Sequence, residues 1–280
     1  MLVQHMGLVS EIDTGTLSFS EVSRAGAALQ KQLTRDFGPA WGVDATIDAF
    51  AKLEDVPLGY WPIVVEEDIK VAGAAGIHLD RNGQPFALVQ YSNRWTLTAS
   101  HEMLEMSADP FGNRVISAMS IKPDLGRVEY LVEVCDPSEA PEFAYRANGV
   151  SVSDFYTPNF FDPVADPCVR YSFTGAIKKP LEVLKGGYIS FHDPVSDHWW
   201  QQTFFGDSPT FRDLGVLKQA GTGIRSAIDA MTEVPGFLDD VSGESDFALL
   251  AQSAGVAIDT ASSAKAEALR SQIQELKKAG

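Results

Sequence analysis

Three residues in the segment TASHEMLEM, residues 98–106, have the types and spacing to do chemistry: His101, Glu102 and Glu105. On a helix, His101 and Glu105 lie one turn apart on the same side, so an imidazole and a carboxylate could bind one metal ion together. Glu102 is rotated about a quarter turn from them, where it could reach a water molecule on the ion. The ion would lower the pKa of that water, and the carboxylate would accept its proton and pass it to a leaving amine. The spacing therefore predicts a metal-dependent hydrolytic site, with Glu102 as the catalytic carboxylate.

The residues around this motif predict a buried helix over about residues 96–108. The helix would end before Asp109-Pro110, because the residue preceding a proline is disfavoured in the α region. A solvated helix face is the alternative interpretation, but the flanking positions are apolar nearly all round. Those positions are Leu97, Ala99, Met103, Leu104 and Met106. Acids and a histidine on a buried helix need partners, and a metal ion would supply them.

A third ligand is predicted from the strand that GRVEYLVEVC, residues 126–135, would form. Alternation along a strand puts Glu129, Glu133 and Cys135 on one face. Glu133 lies just before the strand ends at Asp136, where its carboxylate could project into a cleft. We therefore favour Glu133 as the third ligand, with Asp136 second and Cys135 last, and expect Glu129 to be solvated or paired with a base. Zinc is the expected ion, with manganese, iron and calcium as alternatives, because one histidine with carboxylates is a harder ligand set than zinc usually has.

The N-terminal half predicts elements that would position this site. Apolar residues at helical spacing indicate an amphipathic helix over Phe19–Phe37, with Ser18 or Ser20 as its N-cap and Gly38-Pro39 as its end. β-branched and aromatic residues predict two strands after it, Val43–Phe50 and Trp61–Val65.

A β-hairpin is predicted next, with strands at about residues 77–80 and 86–91 and a turn at Asn82-Gly83. Because proline cannot donate to a ladder, Pro85 suits an edge position for the returning strand. His78 precedes the turn and is expected at the surface. The edge of this hairpin could align a peptide substrate by strand addition.

The C-terminal half predicts a second hairpin, Tyr188–Phe191 with His198–Phe205, and then a helix from Leu214 to about Met231. After Phe247 the chain has no aromatic residue and ends on a helical run. We therefore divide it into a domain over residues 1–235 and a peripheral helical tail over residues 236–280, which could dock a protein partner.

Charge and hydropathy narrow the partners and the location. The net charge is −16, from 38 acidic and 22 basic residues, and so acidic a surface repels nucleic acid and anionic lipid. No stretch is apolar for the 18 or so residues that a membrane span needs. The N-terminal residues MLVQHMGLVSEIDTG have neither a basic region nor a continuous apolar run, which predicts no conventional signal peptide. A cytoplasmic location is expected, with signal-independent export as the alternative.

The two motifs together resemble a divergent group of zincin metallopeptidases. SHEMLEMSADPFGN, residues 100–113, followed by EVCDP, residues 133–137, is similar to a pattern of S-H-E-x-x-E, then Asn/Asp-Pro, then Glu-x-x-Asp near a cysteine. EXORDIUM-like (phosphate-induced) plant proteins and many uncharacterised bacterial proteins share that pattern, and the resemblance covers about residues 60–165. It implies His101 and Glu105 as metal ligands, Glu102 as the catalytic carboxylate, and Glu133 or Asp136 as the residue that completes the site.

These observations predict an α+β fold: a zincin-like domain whose mixed sheet packs against the N-terminal helix and the active-site helix, followed by a helical tail. The predicted function is hydrolysis of a peptide bond in a peptide or protein substrate, with one divalent ion as the cofactor. The alternative is a catalytically inactive zincin fold that serves as a binding or structural module in a larger assembly.

Overall fold

The structure is a computed structural model. It describes residues 3–71, 73–81, 83–217, 223–229 and 231–232. In chain order its strands are β1 (Gln4–Ser10), β2 (Ala45–Ala49), β3 (Trp61–Glu66), β4 (Gly76–Arg81), β5 (Gln84–Gln90), β6 (Val115–Met119), β7 (Arg127–Leu131), β8 (Tyr145–Ala147), β9 (Val150–Val152), β10 (Tyr188–Asp193), β11 (His198–Thr203) and β12 (Thr210–Gly215). Its α-helices are α1 (Phe19–Lys31), α2 (Gly38–Trp41), α3 (Trp95–Ala108) and α4 (Ile224–Asp229).

A mixed sheet with the strand order β2-β1-β3-β5-β4 forms the N-terminal half of the described chain. Its strands run parallel except β4, which is antiparallel to β5 and lies at the edge. Helix α1 contacts β1 and β2, and α3 contacts β3, β4 and β5, so both helices bury one face of the sheet. The predicted α+β class, with a mixed sheet packed against both helices, is confirmed. Strand β1 is not predicted by the sequence, because Gly7 interrupts its apolar run and glycine is depleted in strands.

The N-terminal helix begins as predicted and continues further. The Ser18 side chain accepts a hydrogen bond from the backbone N–H of Glu21, and the Glu21 carboxylate accepts one from the N–H of Ser18. After α1 the chain keeps winding as a π-helix, Gln32–Phe37, and then as α2, so the predicted end at Pro39 is wrong. Pro39 is the second residue of α2, which directly continues the π-helix, and Gly42 in the left-handed conformation ends the helix.

The predicted hairpin around residues 82–83 is confirmed, since β4 and β5 pair up to Arg81 and Gln84. The edge position expected for the strand that contains Pro85 is wrong, because β5 lies between β3 and β4. Pairing of β5 with β3 begins only at Ala87, so β4 alone flanks the proline. The edge strand of this hairpin is therefore β4.

The surface position expected for His78 is also wrong. Its side chain is 2% exposed. Alternation along β4 turns Ile77 and Leu79 into the core on the far side of the sheet, and His78 towards α3.

The second sheet is antiparallel throughout, with the order β12-β11-β10-β7-β6, and it contains the predicted hairpin as β10 and β11. Strand β7 ends earlier than predicted. The N–H of Glu133 donates to the carbonyl of Leu131 at 3.2 Å, and this tight turn removes the strand alternation. As a result Glu133 and Cys135 are both buried, rather than projecting together from one strand face.

The helix predicted from Leu214 to Met231 is wrong over its first part. Leu214 belongs to β12, whose residues pair with β11 from Thr210↔Thr203 onwards. The pattern of apolar residues there fits either type of element, and pairing with a neighbouring strand decides it. Only α4 within the predicted range is helical in the described chain.

A buried polar network fixes the site helix α3 to its surroundings. The Ser100 hydroxyl donates to Gln32 Oε1 at 2.7 Å and accepts from the N–H of Ser153 at 2.9 Å. The amide of Gln32 completes the network by donating to the carbonyl of Ser153 at 2.9 Å. All three residues are buried, so the network holds α3, and with it His101, the next residue along the helix, against the π-helix and the segment after β9.

Replacing Ser100 by alanine should lower the free energy of unfolding by about 1–3 kcal/mol, because a buried carbonyl oxygen and a buried N–H would lose their partner. Denaturant unfolding measures this loss. Ser107→Ala is the matched control on the same helix, since the Ser107 hydroxyl bonds only the local carbonyl of Met103 at 2.6 Å and is half-buried. An equal loss for both variants would contradict the role of the network.

Among the described residues, no helix has the length and apolar character that a membrane crossing requires. The predicted tail over residues 236–280 lies outside the described residues.

Candidate metal centre

Helix α3 and the turn after β7 bring a histidine and two carboxylates together. His101 Nε2 lies 3.2 Å from Glu105 Oε2 and 3.2 Å from Asp136 Oδ1. Glu105 is fully buried, and its other oxygen accepts a hydrogen bond from the N–H of Cys135 at 3.1 Å. This hydrogen bond links the turn after β7 to α3. Asp136, the next residue after Cys135, therefore lies close to His101 on the helix.

Glu133, the residue that the sequence favours as the third ligand, belongs to the same cluster. Oxygen atoms of Glu105, Glu133 and Asp136 lie within 4.8 Å of one another. Among the described residues, the ring of His101 also has a nitrogen within 4.8 Å of an oxygen of Asp136 and one within 4.8 Å of the sulfur of Cys135. His101 and Glu133 do not occur together in such a group. The distances favour Asp136 as the nearer partner of His101, and the choice between Glu133 and Asp136 as the third ligand stays a prediction.

Cys135, the last choice as a ligand, is buried, and its sulfur lies 3.8 Å from the carbonyl of His101. Burial, and then the charge of Glu105, raises the pKa of the Cys135 thiol well above its usual value. The thiol form is therefore favoured, whereas a metal ligand must be a thiolate.

Arg225, on α4, places its guanidinium among the same carboxylates. Its Nη1 lies 3.4 Å from Glu105 Oε2 and 3.8 Å from Asp136 Oδ2, and it also contacts the carboxylate of Glu133. Its Nε donates to Asp229 one turn further along α4, at 3.0 Å.

A close fit of α4 against the turn after α3 sets the position of Arg225. The N–H of Arg225 donates to the carbonyl of Gly112 at 3.0 Å, and that of Ile224 donates to Asn113 Oδ1 at 2.9 Å. Gly112 has a φ of 58°, and a Cβ there would lie only 2.8 Å from Cβ of Arg225. Glycine is therefore the residue that suits both the backbone conformation and the contact.

Glu102 contacts edge strand β4 and also lies near Glu105 of this cluster. Its Oε2 lies 3.3 Å from Nδ1 of His78, and it is 3% exposed. His78, Glu102 and Glu105 form a further group whose ligand atoms lie within 4.8 Å of one another. Glu102 thus occupies a different contact environment from Glu105, as the helical spacing predicts for a residue one position after His101.

Electrostatics ties the protonation states of the cluster together. Burial acts to lower the pKa of His101, but the charge of Glu105 and the nearby Asp136 carboxyl raise it well above its usual value. Burial acts to raise the pKa of Glu105, yet the charge of His101 and its hydrogen bond hold it far below normal. Burial and the charge of Glu105 raise the pKa of Asp136 well above its usual value. Without a divalent cation the cluster therefore favours an imidazolium, a Glu105 carboxylate and a proton on Asp136.

A cavity of about 130 Å³ opens on the site between α3 and the start of β4. His101, Glu102, Arg225 and Glu139 are among the polar residues of its wall, which also contains apolar side chains such as that of Leu97. Burial raises the pKa of Glu139 to about 8. Glu139 also forms a close group with His101 and Asp136, so one more carboxyl group is within reach of an ion and of the cavity.

The residues present fit a divalent cation. Two ligands that each lie about 2.1 Å from one ion are about 3.2–3.5 Å apart at angles near tetrahedral, which agrees with the two contacts of His101. Both oxygens of Glu133 and of Asp136 are buried and accept no hydrogen bond of good geometry from the described residues. Buried carboxylates need a neutralising charge, which the guanidinium of Arg225 and the imidazolium of His101 supply in the metal-free protein and a divalent ion would supply when bound.

Sequence reasoning misses three residues of the site: His78, Glu139 and Arg225. His78 and Arg225 reach the site from other elements, 24 positions from Glu102 and 120 positions from Glu105 respectively, whereas Glu139 lies three positions after Asp136. Local spacing carries no signal for such contacts. For His78 a signal did exist, because its position between two apolar residues of a strand puts it on the opposite face, towards the helix.

The remaining polar residues singled out by the sequence lie on the second sheet, away from the centre. Glu129 pairs with Nδ1 of His192 at 3.0 Å, so the prediction that it is solvated or paired with a base is confirmed. His192 also contacts Asp197 at 3.0 Å and stacks on Trp199, and His198 contacts Asp213.

Comparison of the chain with family models, with curated proteins and with solved structures gives no match.

Proposed function

We propose that the protein is a metal-dependent peptidase of the zincin type, in which one divalent ion is held by His101, Glu105 and Asp136, with Glu133 beside them. The observation that carries this proposal is the approach of Nε2 of His101 to both carboxylates at 3.2 Å, at the wall of a cavity. Zinc is the expected ion, and manganese, iron and calcium are the alternatives for so carboxylate-rich a set.

When bound, the ion supplies Lewis-acid chemistry: it lowers the pKa of a water molecule and polarises a carbonyl group. Glu102 accepts the proton of the attacking water and returns it to the leaving amine, since it lies at the cavity wall outside the contacts of His101. Glu102 and Glu105 are buried, which strengthens electrostatic interactions at the site.

Strand β4 gives a peptide substrate a place to bind. It is the edge of the mixed sheet and contacts α3, and the cavity is lined by Gly76 and Ile77 at its start. An extended peptide can add to such an edge through backbone hydrogen bonds. The proposal that the chain belongs to the zincin group is supported by this arrangement of a site helix beside an antiparallel edge strand, together with the resemblance of the two motifs.

A peptide library tests the proposal. The protein loaded with zinc should cleave peptides at internal or terminal bonds, should lose at least about 99% of its turnover after chelation, and should regain it when the ion is restored. Turnover that survives exhaustive chelation, or no cleavage by protein loaded with zinc, manganese, iron or calcium in turn, would contradict it.

One observation favours the alternative of an inactive binding or structural module. The guanidinium of Arg225 already supplies a positive charge to Glu105, Glu133 and Asp136. An internal cation of this kind could hold the fold together without metal, and the tail over residues 236–280 could then dock the domain to a partner protein. Unaltered partner binding and stability after substitution of Glu102, with no turnover by the native protein, would favour this module.

A further inference from the structure

Edge strand β4 presents two residues to the site helix, Gly76 and His78. They are two positions apart and so share one face of the strand. The residue between them, Ile77, packs into the core on the other face. Both side-chain positions are therefore directed at α3, which contacts β4 along the site.

Glu102 is confined between these two residues. A Cβ added to Gly76 would lie 2.6 Å from Glu102 Oε1 and 2.6 Å from Cγ2 of Thr98, so the carboxylate rests directly on the strand backbone. On its other side, Glu102 Oε2 lies 3.3 Å from His78 Nδ1. Each oxygen of one carboxylate thus has its own neighbour on the edge strand.

His78 has little else to bind. It is 2% exposed, and its Nε2 has no hydrogen-bond partner among the described residues. Because a carboxylate can only accept, the contact with Glu102 requires the proton to be on Nδ1. The imidazole is therefore oriented by this contact, with Glu105 Oε2 further away at 3.8 Å.

We propose that His78 and Gly76 are positioning residues that seat the Glu102 carboxylate. His78 holds Oε2 by donating a hydrogen bond, and Gly76 leaves the room that Oε1 needs at the cavity wall. The inference rests on the proposed function, in which Glu102 transfers protons, and it adds that the edge strand fixes the orientation of that group. Groups that orient a reacting or metal-binding residue typically change activity by about 10- to 100-fold.

The test for His78 compares two variants of opposite hydrogen-bonding character. His78→Leu removes the donor and should lower kcat about 10- to 100-fold, with KM and metal content unchanged. His78→Asn keeps an N–H donor near the Nδ1 position and should recover most of that loss. His192→Leu is the matched control, because His192 also contacts carboxylates but lies on the second sheet. Loss of metal in His78→Leu would overturn the proposal, because His78 would then be a ligand together with Glu102 and Glu105. Unchanged kcat would overturn it too.

Gly76→Ala tests whether Gly76 leaves the space that Oε1 of Glu102 occupies. Its added methyl group should displace Glu102 and lower kcat about as much as His78→Leu does, without loss of metal. Gly126→Ala is the control, since a Cβ there meets nothing within 4 Å. Equal kcat in the two glycine variants would contradict the proposal that Gly76 positions the Glu102 carboxylate.

A readout that needs no turnover separates this inference from the proposed function. In metal-free protein, His78→Leu and Glu102→Leu should together lower the Tm by less than the sum of their separate effects, because each removes the same contact. Additive shifts in Tm would overturn the seat even if the native protein cleaves peptides. Non-additive shifts would support it even if the peptide library is not cleaved.

Discussion

Replacing Glu102 by glutamine should lower peptide turnover by about two to four orders of magnitude while the metal ion stays bound. Glutamine keeps the size and shape of the side chain, but its amide cannot accept the proton of an attacking water. The contact of His78 Nδ1 with the side-chain oxygen is retained in this variant. The measurements are kcat on a cleaved peptide and elemental analysis of the same preparation.

Glu105→Gln is the counterpart on the same helix and should behave differently. Glu105 is in contact with His101 and is fully buried, so its loss should weaken metal binding together with activity. These results would show that Glu102 and Glu105, three positions apart on one helix, have different functions: proton transfer for Glu102 and metal binding for Glu105. If Glu102→Gln lost the ion, or turned over peptides at the native rate, Glu102 would not be the catalytic base.

Arg225→Met should tighten metal binding by about tenfold or more, a change of about 1.4 kcal/mol in binding free energy. The guanidinium contacts three carboxylates of the centre, so it must move before an ion can occupy the space between them. Removing it abolishes that competition. The same substitution should destabilise the metal-free protein, because loss of one partner from a buried ion pair typically costs about 3–5 kcal/mol. Titration with zinc and the Tm with and without zinc measure the two effects.

Arg127→Met is the control for loss of a positive charge, since Arg127 is exposed on β7 and, within the described residues, donates to the carbonyl of Ser117. It should change neither the affinity for zinc nor the gain in Tm on adding zinc. Weaker zinc binding by Arg225→Met would contradict the competition and would mean that the arginine assists the bound ion.

The parts of the fold that local patterns determine were predictable. Helix α3 is predicted by the apolar residues that flank His101 and Glu105. These two residues are four positions apart, one turn of a helix, and they are in contact in the structure. The hairpin β4–β5 follows from a turn at an Asn-Gly step between apolar runs. In each case the interacting residues are near in sequence, so propensity and spacing carry the information.

The remaining parts depend on which distant elements meet. The apolar alternation predicts that β7 extends to Cys135, but the tight turn at Glu133 ends it and brings Asp136 to His101 instead. Arg225 reaches the centre because α4 packs on Gly112. No local sequence pattern predicts that contact. Long-range packing of this kind overrides strand propensity and cannot be derived from spacing.

Elemental analysis of the protein purified without chelator tests the metal centre most directly. The native protein should hold about one divalent ion per chain, and His101→Ala should hold none and melt at a lower temperature, because metal binding couples to folding. His192→Ala, a histidine on the second sheet, should retain the ion. A native protein without bound metal, even after incubation with zinc, manganese, iron or calcium, would contradict the account.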